Sequence, residues 1–208
     1  MSIEVELKAW VENTKELKQK LLAVSSYQFT VIKEDCYFTE DISAAKPKKG
    51  LPFSGVRIRQ EHLTADDQKT EENSFVVTYK TKELSGGIEV NNEKEFALCA
   101  VKNEDAMSAC DNFKELLFRL GLKQGICKKK YCETYRSGDI NAELVHIDQL
   151  GTFLEIEILL ETDDQSSIEA AKKRLMDFLK LCNIGTDKIE SRYYTEMLSA
   201  IQKEKATV

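Results

Sequence analysis

A two-residue alternation of charged and apolar side chains, repeated along most of the chain, narrows the possible folds more than any other feature. In "IEVELKAW", residues 3–10, Glu4, Glu6 and Lys8 fall at every second position, with Val5, Leu7 and Ala9 between them. A strand sends alternate side chains to opposite faces. One face therefore carries two carboxylates and an ammonium, and the other carries only apolar groups. The pattern recurs in "VRIRQ", with Arg57 and Arg59 opposite Val56 and Ile58, and in "VVTYKTK", with Thr78, Lys80 and Lys82. It continues in "IEVNNEKEF", with Glu89, Asn91, Glu93 and Glu95 on one face, and in "CKKKYCETY", with Lys128 and Lys130. In "VHIDQLGTFLEIEILL", His146 and Asp148 precede Glu155 and Glu157, which are set between Leu154, Ile156 and Ile158. Any single strand of this kind is an ordinary half-buried one. The set as a whole sorts by sign: strands 55–60, 74–82 and 127–131 are basic on the patterned face, and 3–9, 88–97 and 153–160 are mainly acidic.

Strand-like runs fall at 3–11, 35–39, 55–60, 74–82, 88–97, 127–136, 140–147 and 153–160. Helical stripes occupy 13–24, with Leu17, Leu21 and Leu22 following Asn13, and 104–120, with Met107, Cys110, Phe113, Leu117 and Leu120 ending at Gly121. A third covers 165–182 through Ile168, Ala171, Leu175, Phe178 and Leu179, and 188–204 is expected to add a further helix. Residues 44–55, which hold both prolines, and 61–73 read as polar loops, and "SGG" at 85–87 as a tight turn. No linker divides the chain, although strand–helix–strand material before and after residue 100 looks loosely duplicated. The expectation is an α+β chain: one domain over residues 1–200 with a tail at 201–208, built as an antiparallel barrel or strongly curved sheet with helices outside.

Composition excludes several classes. A net charge of −6 argues against a general nucleic-acid binder. No apolar run approaches the roughly 20 residues of a membrane span, and the N-terminus has no signal-peptide pattern, so a cytoplasmic location without membrane association is expected. None of the six cysteines sits in a CxxC pair, and His62 and His146 are not at zinc-ligand spacing. Reduced, mostly buried thiols are expected, and zinc or thiol catalysis is demoted.

If the sheet closes with its charged faces inward, the lumen has a basic wall and an acidic wall. Isolated charges there would cost several kcal/mol each. Such a lumen must be wet and must hold a highly charged ligand. A polyphosphate with divalent metals satisfies both walls, because Arg and Lys bind phosphate oxygens and carboxylates hold hard cations. No Gly-rich phosphate loop is present, so side chains must cradle the phosphates. The basic wall is then expected to hold substrate rather than to stabilise the fold.

These residues resemble a known family. "EVELK" is similar to the ExExK signature of the CYTH superfamily, the triphosphate tunnel metalloenzymes. The likeness continues in order through "DCYF" (35–38), "VRIRQ" (56–60), "VVTYK" (76–80), "NEKEF" (92–96), "KKKY" (128–131), "HIDQLGTFLEIE" (146–157) and "YYTEML" (193–198). The late signature resembles the class IV adenylyl cyclase-like branch. The resemblance implies an eight-stranded antiparallel β-barrel, a triphosphate tunnel, with helices packed outside, using Mg²⁺ or Mn²⁺. It implies Glu4, Glu6, Glu155 and Glu157 as metal-binding carboxylates. Lys8, Arg57, Arg59, Lys80, Lys128 and Lys130 would bind substrate, with Glu93 and Glu95 as further tunnel residues. Glu4, Glu6 and Asp148 would act in catalysis. The implied activity is conversion of ATP to cyclic AMP and pyrophosphate. The alternatives are hydrolysis of inorganic, thiamine or nucleoside triphosphate, and polyphosphate or nucleotide binding without turnover. Cyclase-like relatives often dimerise, which leaves room for a homodimer. The chain departs from the family at Asn91, where the acidic strand often starts with arginine, and at Lys130, a position that commonly holds arginine. Lysine keeps the charge and loses the bidentate fork.

Overall fold

The alternation folds as a closed antiparallel barrel. The computed structural model describes residues 2–39, 55–64, 73–85, 87–98 and 105–206. Along the chain lie β1 (Ser2–Trp10), α1 (Thr14–Val24), β2 (Ser26–Thr39), β3 (Gly55–Thr64), β4 (Asn73–Ser85) and β5 (Ile88–Ala97). They are followed by α2 (Ala106–Arg119), β6 (Lys123–Ser137), β7 (Ile140–Ile147), β8 (Gly151–Leu160), α3 (Gln165–Leu181), a short 3₁₀ turn (Thr186–Lys188) and α4 (Tyr194–Ala206). The barrel closes in the order β1-β5-β4-β3-β2-β6-β7-β8. No described helix is long and apolar enough to cross a membrane.

The chain packs as two compact units, one from residues 1–31, 81–93 and 130–192, the other from 32–80, 94–129 and 193–208. In the first, α3 packs on β1 and β8. Val5, Leu7 and Ala9 join Leu154, Ile156 and Ile158 and the α3 stripe of Ile168, Ala171, Leu175, Phe178 and Leu179 in one buried cluster. The β1–β8 register matches like with like: Val5 lies opposite Ile158 and Leu7 opposite Ile156, while Glu6 meets Glu157 and Lys8 meets Glu155. Because the apolar side chains take the face toward the helices, the charged ones must take the other, which in a closed barrel is the inner face. The second unit repeats the plan with Phe38, Ile58, Phe75 and Val77 buried alongside Cys110 and Leu117 of α2.

The helices begin on polar caps. The Asn13 side chain accepts from the Glu16 amide, and Asp164 accepts from the amides of Ser166 and Ser167. Gly87 precedes β5 at φ +81, and a Cβ there would stand 2.8 Å from Ile189 Cγ2. Both conformation and space therefore require glycine.

Several expectations shift. β2 begins at Ser26 rather than 35, because Tyr27, Phe29 and Val31 alternate with polar residues and continue the strand despite an exposed start. β6 begins at Lys123 rather than 127. The expected helix over 188–204 starts only at Tyr194, because Ile189 bridges Ala9 and the Glu190 amide donates to the Lys8 carbonyl, which holds that stretch extended. The loop over 61–73 is narrowed by β3 and β4, and its remainder, like residues 44–54, lies outside the described residues.

The expectation of reduced cysteines is corrected. Cys36 on β2 and Cys127 on β6 form a disulfide, their Cα atoms 4.2 Å apart. Neighbouring barrel strands juxtapose residues that are 91 positions apart in sequence, a proximity that no local spacing signals. Cys110, Cys132 and Cys182 are buried and keep the thiol form, as expected, and Cys99 lies outside the described residues.

Candidate functional site

In the first unit, β1 and β8 bring Glu4, Glu6 and Glu157 together, so that one carboxylate oxygen from each lies within 4.8 Å of the other two. The strand geometry explains this. Glu6 and Glu157 are direct cross-strand partners, and Glu4 follows two residues along the same face. Three like charges at this separation repel one another, and a hard divalent cation offsets that repulsion while satisfying oxygen donors. Two neutral amides support the group: Asn91 Nδ2 donates to Glu4 Oε2 at 3.1 Å, and Asn141 Nδ2 donates to Glu157 Oε1 at 3.0 Å. The donor set, all oxygen and carboxylate-rich, fits Mg²⁺ or Mn²⁺.

The cations of this unit sit beside the triad. Lys8 pairs with Glu89 at 3.4 Å, both buried. Lys130 pairs with Glu155 at 2.5 Å. Glu155, expected with the metal ligands, thus stands one step along β8 from the triad and holds a lysine. Asp148 lies in the β7–β8 turn, exposed, 3.7 Å from His146 Nε2, and is not brought to the carboxylate group. Glu93 stands opposite Ser2 at the start of β1.

In the second unit, Arg59 forks onto Asp35, with Nε 2.6 Å from Oδ1 and Nη2 3.0 Å from Oδ2. Lys128 approaches the same carboxylate at 3.4 Å and donates to the Tyr37 hydroxyl at 2.9 Å. Its ammonium also lies near the ring faces of Tyr37 and Tyr194. Burial pushes the Asp35 carboxyl up, but the charges of Arg59 and Lys128 and the Arg59 hydrogen bonds outweigh it and hold the group well below the usual carboxylate range. Burial and the Asp35 charge raise the Tyr37 phenol, and the charges of Lys128 and Arg57 with the Lys128 hydrogen bond together outweigh them, leaving it below its ordinary value. Arg57 donates from Nη2 to Thr78 Oγ1 at 2.8 Å and to Glu95 Oε1 at 3.0 Å, and Thr78 donates to Glu95 at 2.7 Å. The side chain of Lys80 lies outside the described residues.

Sequence reading names the charged residues of both walls, Glu89 among them, but gives Asp35 and Tyr37, which engage Arg59 and Lys128, no part in the site. Asp35 and Tyr37 sit in "EDCYF", where their alternation with Cys36 and Phe38 is the available signal. Each unit can therefore do one kind of chemistry with what it carries. The first can hold a divalent cation in a carboxylate group flanked by lysines. The second presents guanidinium and ammonium groups, each already engaged with a carboxylate or hydroxyl that a phosphate oxygen can replace.

A CYTH domain model matches residues 2–194. The chain belongs to the CYTH family. A Methanocaldococcus jannaschii protein named "Putative adenylate cyclase MJ0240" is 28% identical over 196 residues, which span 94% of this chain and 98% of that protein. The PH1819 protein of Pyrococcus horikoshii has a similar structure, with a TM-score of 0.73, 26% identity and coverage of 95% and 98% of the two chains. The fold also matches a Hippeastrum protein described as a "Putative adenylyl cyclase" with a dominant triphosphatase activity, with a TM-score of 0.54, 17% identity and coverage of 88% and 89%.

Proposed function

We propose that this CYTH protein is a divalent-metal-dependent enzyme acting on a triphosphate, and that its reaction converts ATP to cyclic AMP and pyrophosphate. The observation that carries the reading is the Glu4–Glu6–Glu157 group on the inner face of the barrel. These three side chains would hold Mg²⁺ or Mn²⁺. When bound, such an ion neutralises phosphate charge and withdraws electrons from the reacting phosphorus. In the first unit Lys8 and Lys130 exchange Glu89 and Glu155 for phosphate oxygens. In the second, Arg57, Arg59 and Lys128 do the same, and Lys80 joins them by its place in the family motif. Lys128 also steers a phosphate toward the Tyr37 hydroxyl, which can donate a hydrogen bond to it.

In cyclisation the ribose 3′-oxygen bonds to the α-phosphorus while the bond from that phosphorus to the bridging oxygen of the β-phosphate breaks. Pyrophosphate leaves, and the hydroxyl proton passes to solvent. The basic side chains stabilise the charge that gathers on the leaving group. The name of the M. jannaschii relative supports this reading. Hydrolysis of a triphosphate at its terminal phosphorus is the second reading, favoured by the activity attributed to the Hippeastrum neighbour, and the same side chains would serve it.

The test incubates purified protein with ATP or inorganic triphosphate under Mg²⁺ and under Mn²⁺ and identifies products chromatographically. Cyclic AMP with matching pyrophosphate supports cyclisation. Orthophosphate without cyclic product moves the assignment to the hydrolase. Glu157→Gln keeps the size and removes a charge, so turnover falls at least about a hundredfold, roughly 2.7 kcal/mol. Unchanged turnover at saturating metal would remove the carboxylate group from the mechanism. Arg59→Ala weakens triphosphate binding by several kcal/mol. The structure also changes the expectation for stability: this substitution removes the bidentate partner of buried Asp35 and leaves Lys128 at 3.4 Å as its counter-charge, and so lowers folding stability by about 1–3 kcal/mol as well.

A further inference from the structure

Asn91 is the point at which the inner face of β5 departs from the pattern around it. It is fully buried and lies directly opposite Glu4 in the β1–β5 register. Its carboxamide is used on one side only. Nδ2 donates to Glu4 Oε2 at 3.1 Å, which fixes the orientation of the amide, because the nitrogen must face the carboxylate. Oδ1 on the same group is buried and accepts no hydrogen bond among the described residues. Leaving a buried carbonyl oxygen without a partner carries the full cost of its desolvation, and a chain retains such a group where something else satisfies it. An asparagine here adds a neutral oxygen donor, and side-chain amide oxygens are ordinary ligands of hard divalent ions.

We infer that Asn91 is a ligand of the divalent cation held by Glu4, Glu6 and Glu157, with Oδ1 as a fourth oxygen donor and Nδ2 orienting Glu4 for the same ion. The inference rests on the metal-binding reading of the three carboxylates. It gives the cation site a fourth oxygen ligand without adding a charge.

The experiment measures Mn²⁺ alone, without nucleotide. Titration calorimetry at pH 8 compares wild type with Asn91→Ala, Asn91→Asp and Glu157→Gln, and crystals soaked in MnCl₂ locate the ion by its anomalous scattering. The expected result is an ion bonded to the three carboxylates and to Asn91 Oδ1 within about 2.0–2.6 Å. Asn91→Ala then raises the Kd about tenfold or more, within the range lost when a metal site loses a supporting group. Asn91→Asp, which keeps the volume and an oxygen donor, binds at least as tightly as wild type and shows that loss in the alanine variant is not a folding defect. An ion at the carboxylates with Oδ1 beyond bonding distance, or a weaker Asn91→Asp variant, would mean that only the amide N–H group matters, and would overturn the inference while leaving the metal site intact. If Glu157→Gln binds Mn²⁺ as wild type does and no ion appears at the carboxylates, the metal-binding reading itself fails and the inference falls with it.

Discussion

At Asp35, burial and charge pull in opposite directions, and the outcome can be measured. The carboxylate is fully buried and held ionised by Arg59 and Lys128, which depress its pKa in spite of desolvation. A carboxylate whose folded pKa lies below its unfolded value of about 3.9 contributes stability that is fully present above that value, and the contribution is lost as pH falls through the folded pKa. Asp35→Asn keeps the shape and removes the buried counter-charge that Arg59 and Lys128 share, so it destabilises the protein by about 3–5 kcal/mol near neutral pH. Urea midpoints of wild type and variant, measured from pH 7 down to 2, converge only at the acid end, where the wild-type carboxylate takes up its proton. A constant difference across that range would show that Asp35 contributes by shape rather than charge. The sequence makes Arg57 and Arg59 legible because each repeats a sign on one strand face. Asp35 is the only acid on its strand face, and its ion pairs form with β3 and β6, so its segment signals it only through the short alternation with Cys36 and Phe38 and repeats no sign.

Elements were legible where one period runs uninterrupted. The α3 stripe occurs where Ile168, Ala171, Leu175, Phe178 and Leu179 predict it, and the boundaries Gln165–Leu181 agree with the expected 165–182 to within a residue. β1 and β8 are equally clear, because charges and aliphatics alternate without a break. The first half of β2 was not, because its polar residues are held by strand pairing rather than by burial. The alternation also separates two kinds of energy on one strand: the side toward α3 carries packing, and the other side carries the charges. Leu175→Ala tests that separation. Leu175 is fully buried in the outer cluster, so the truncation costs about 2–5 kcal/mol, read as a lower urea midpoint. Mn²⁺ affinity measured by calorimetry on the folded variant stays within about twofold of wild type, since the carboxylates lie on the opposite face of β1 and β8. A parallel loss of metal affinity would show that the two faces are coupled through the strands.

For the whole molecule, closure of the barrel could be read from the sum of the strand patterns: the inward charges of so many segments need a shared interior, and eight antiparallel strands supply it. The Cys36–Cys127 bond could not be read, because it depends on which strands become neighbours rather than on the character of either segment. It ties β2 to β6 within the second unit, one residue from Asp35 and Tyr37 on one strand and from Lys128 on the other. Strand alternation puts those three side chains on the opposite face from the sulfurs, so the bond braces the cationic group without occupying it. A bridge over a sequence separation of 91 restricts the unfolded chain substantially, by about 4–5 kcal/mol in the chain-entropy account, with measured effects of native bridges commonly about 2–5 kcal/mol. The double variant Cys36→Ser, Cys127→Ser is therefore expected to lose about 2–4 kcal/mol relative to the oxidised wild type in urea unfolding. Wild type treated with a dithiol reductant should fall to the same midpoint as the variant, and the reductant should leave the variant unchanged. Coincident midpoints for oxidised wild type and double variant would show that the bridge does not contribute to global stability, and that hydrogen bonding and packing between neighbouring strands hold β2 and β6 without it.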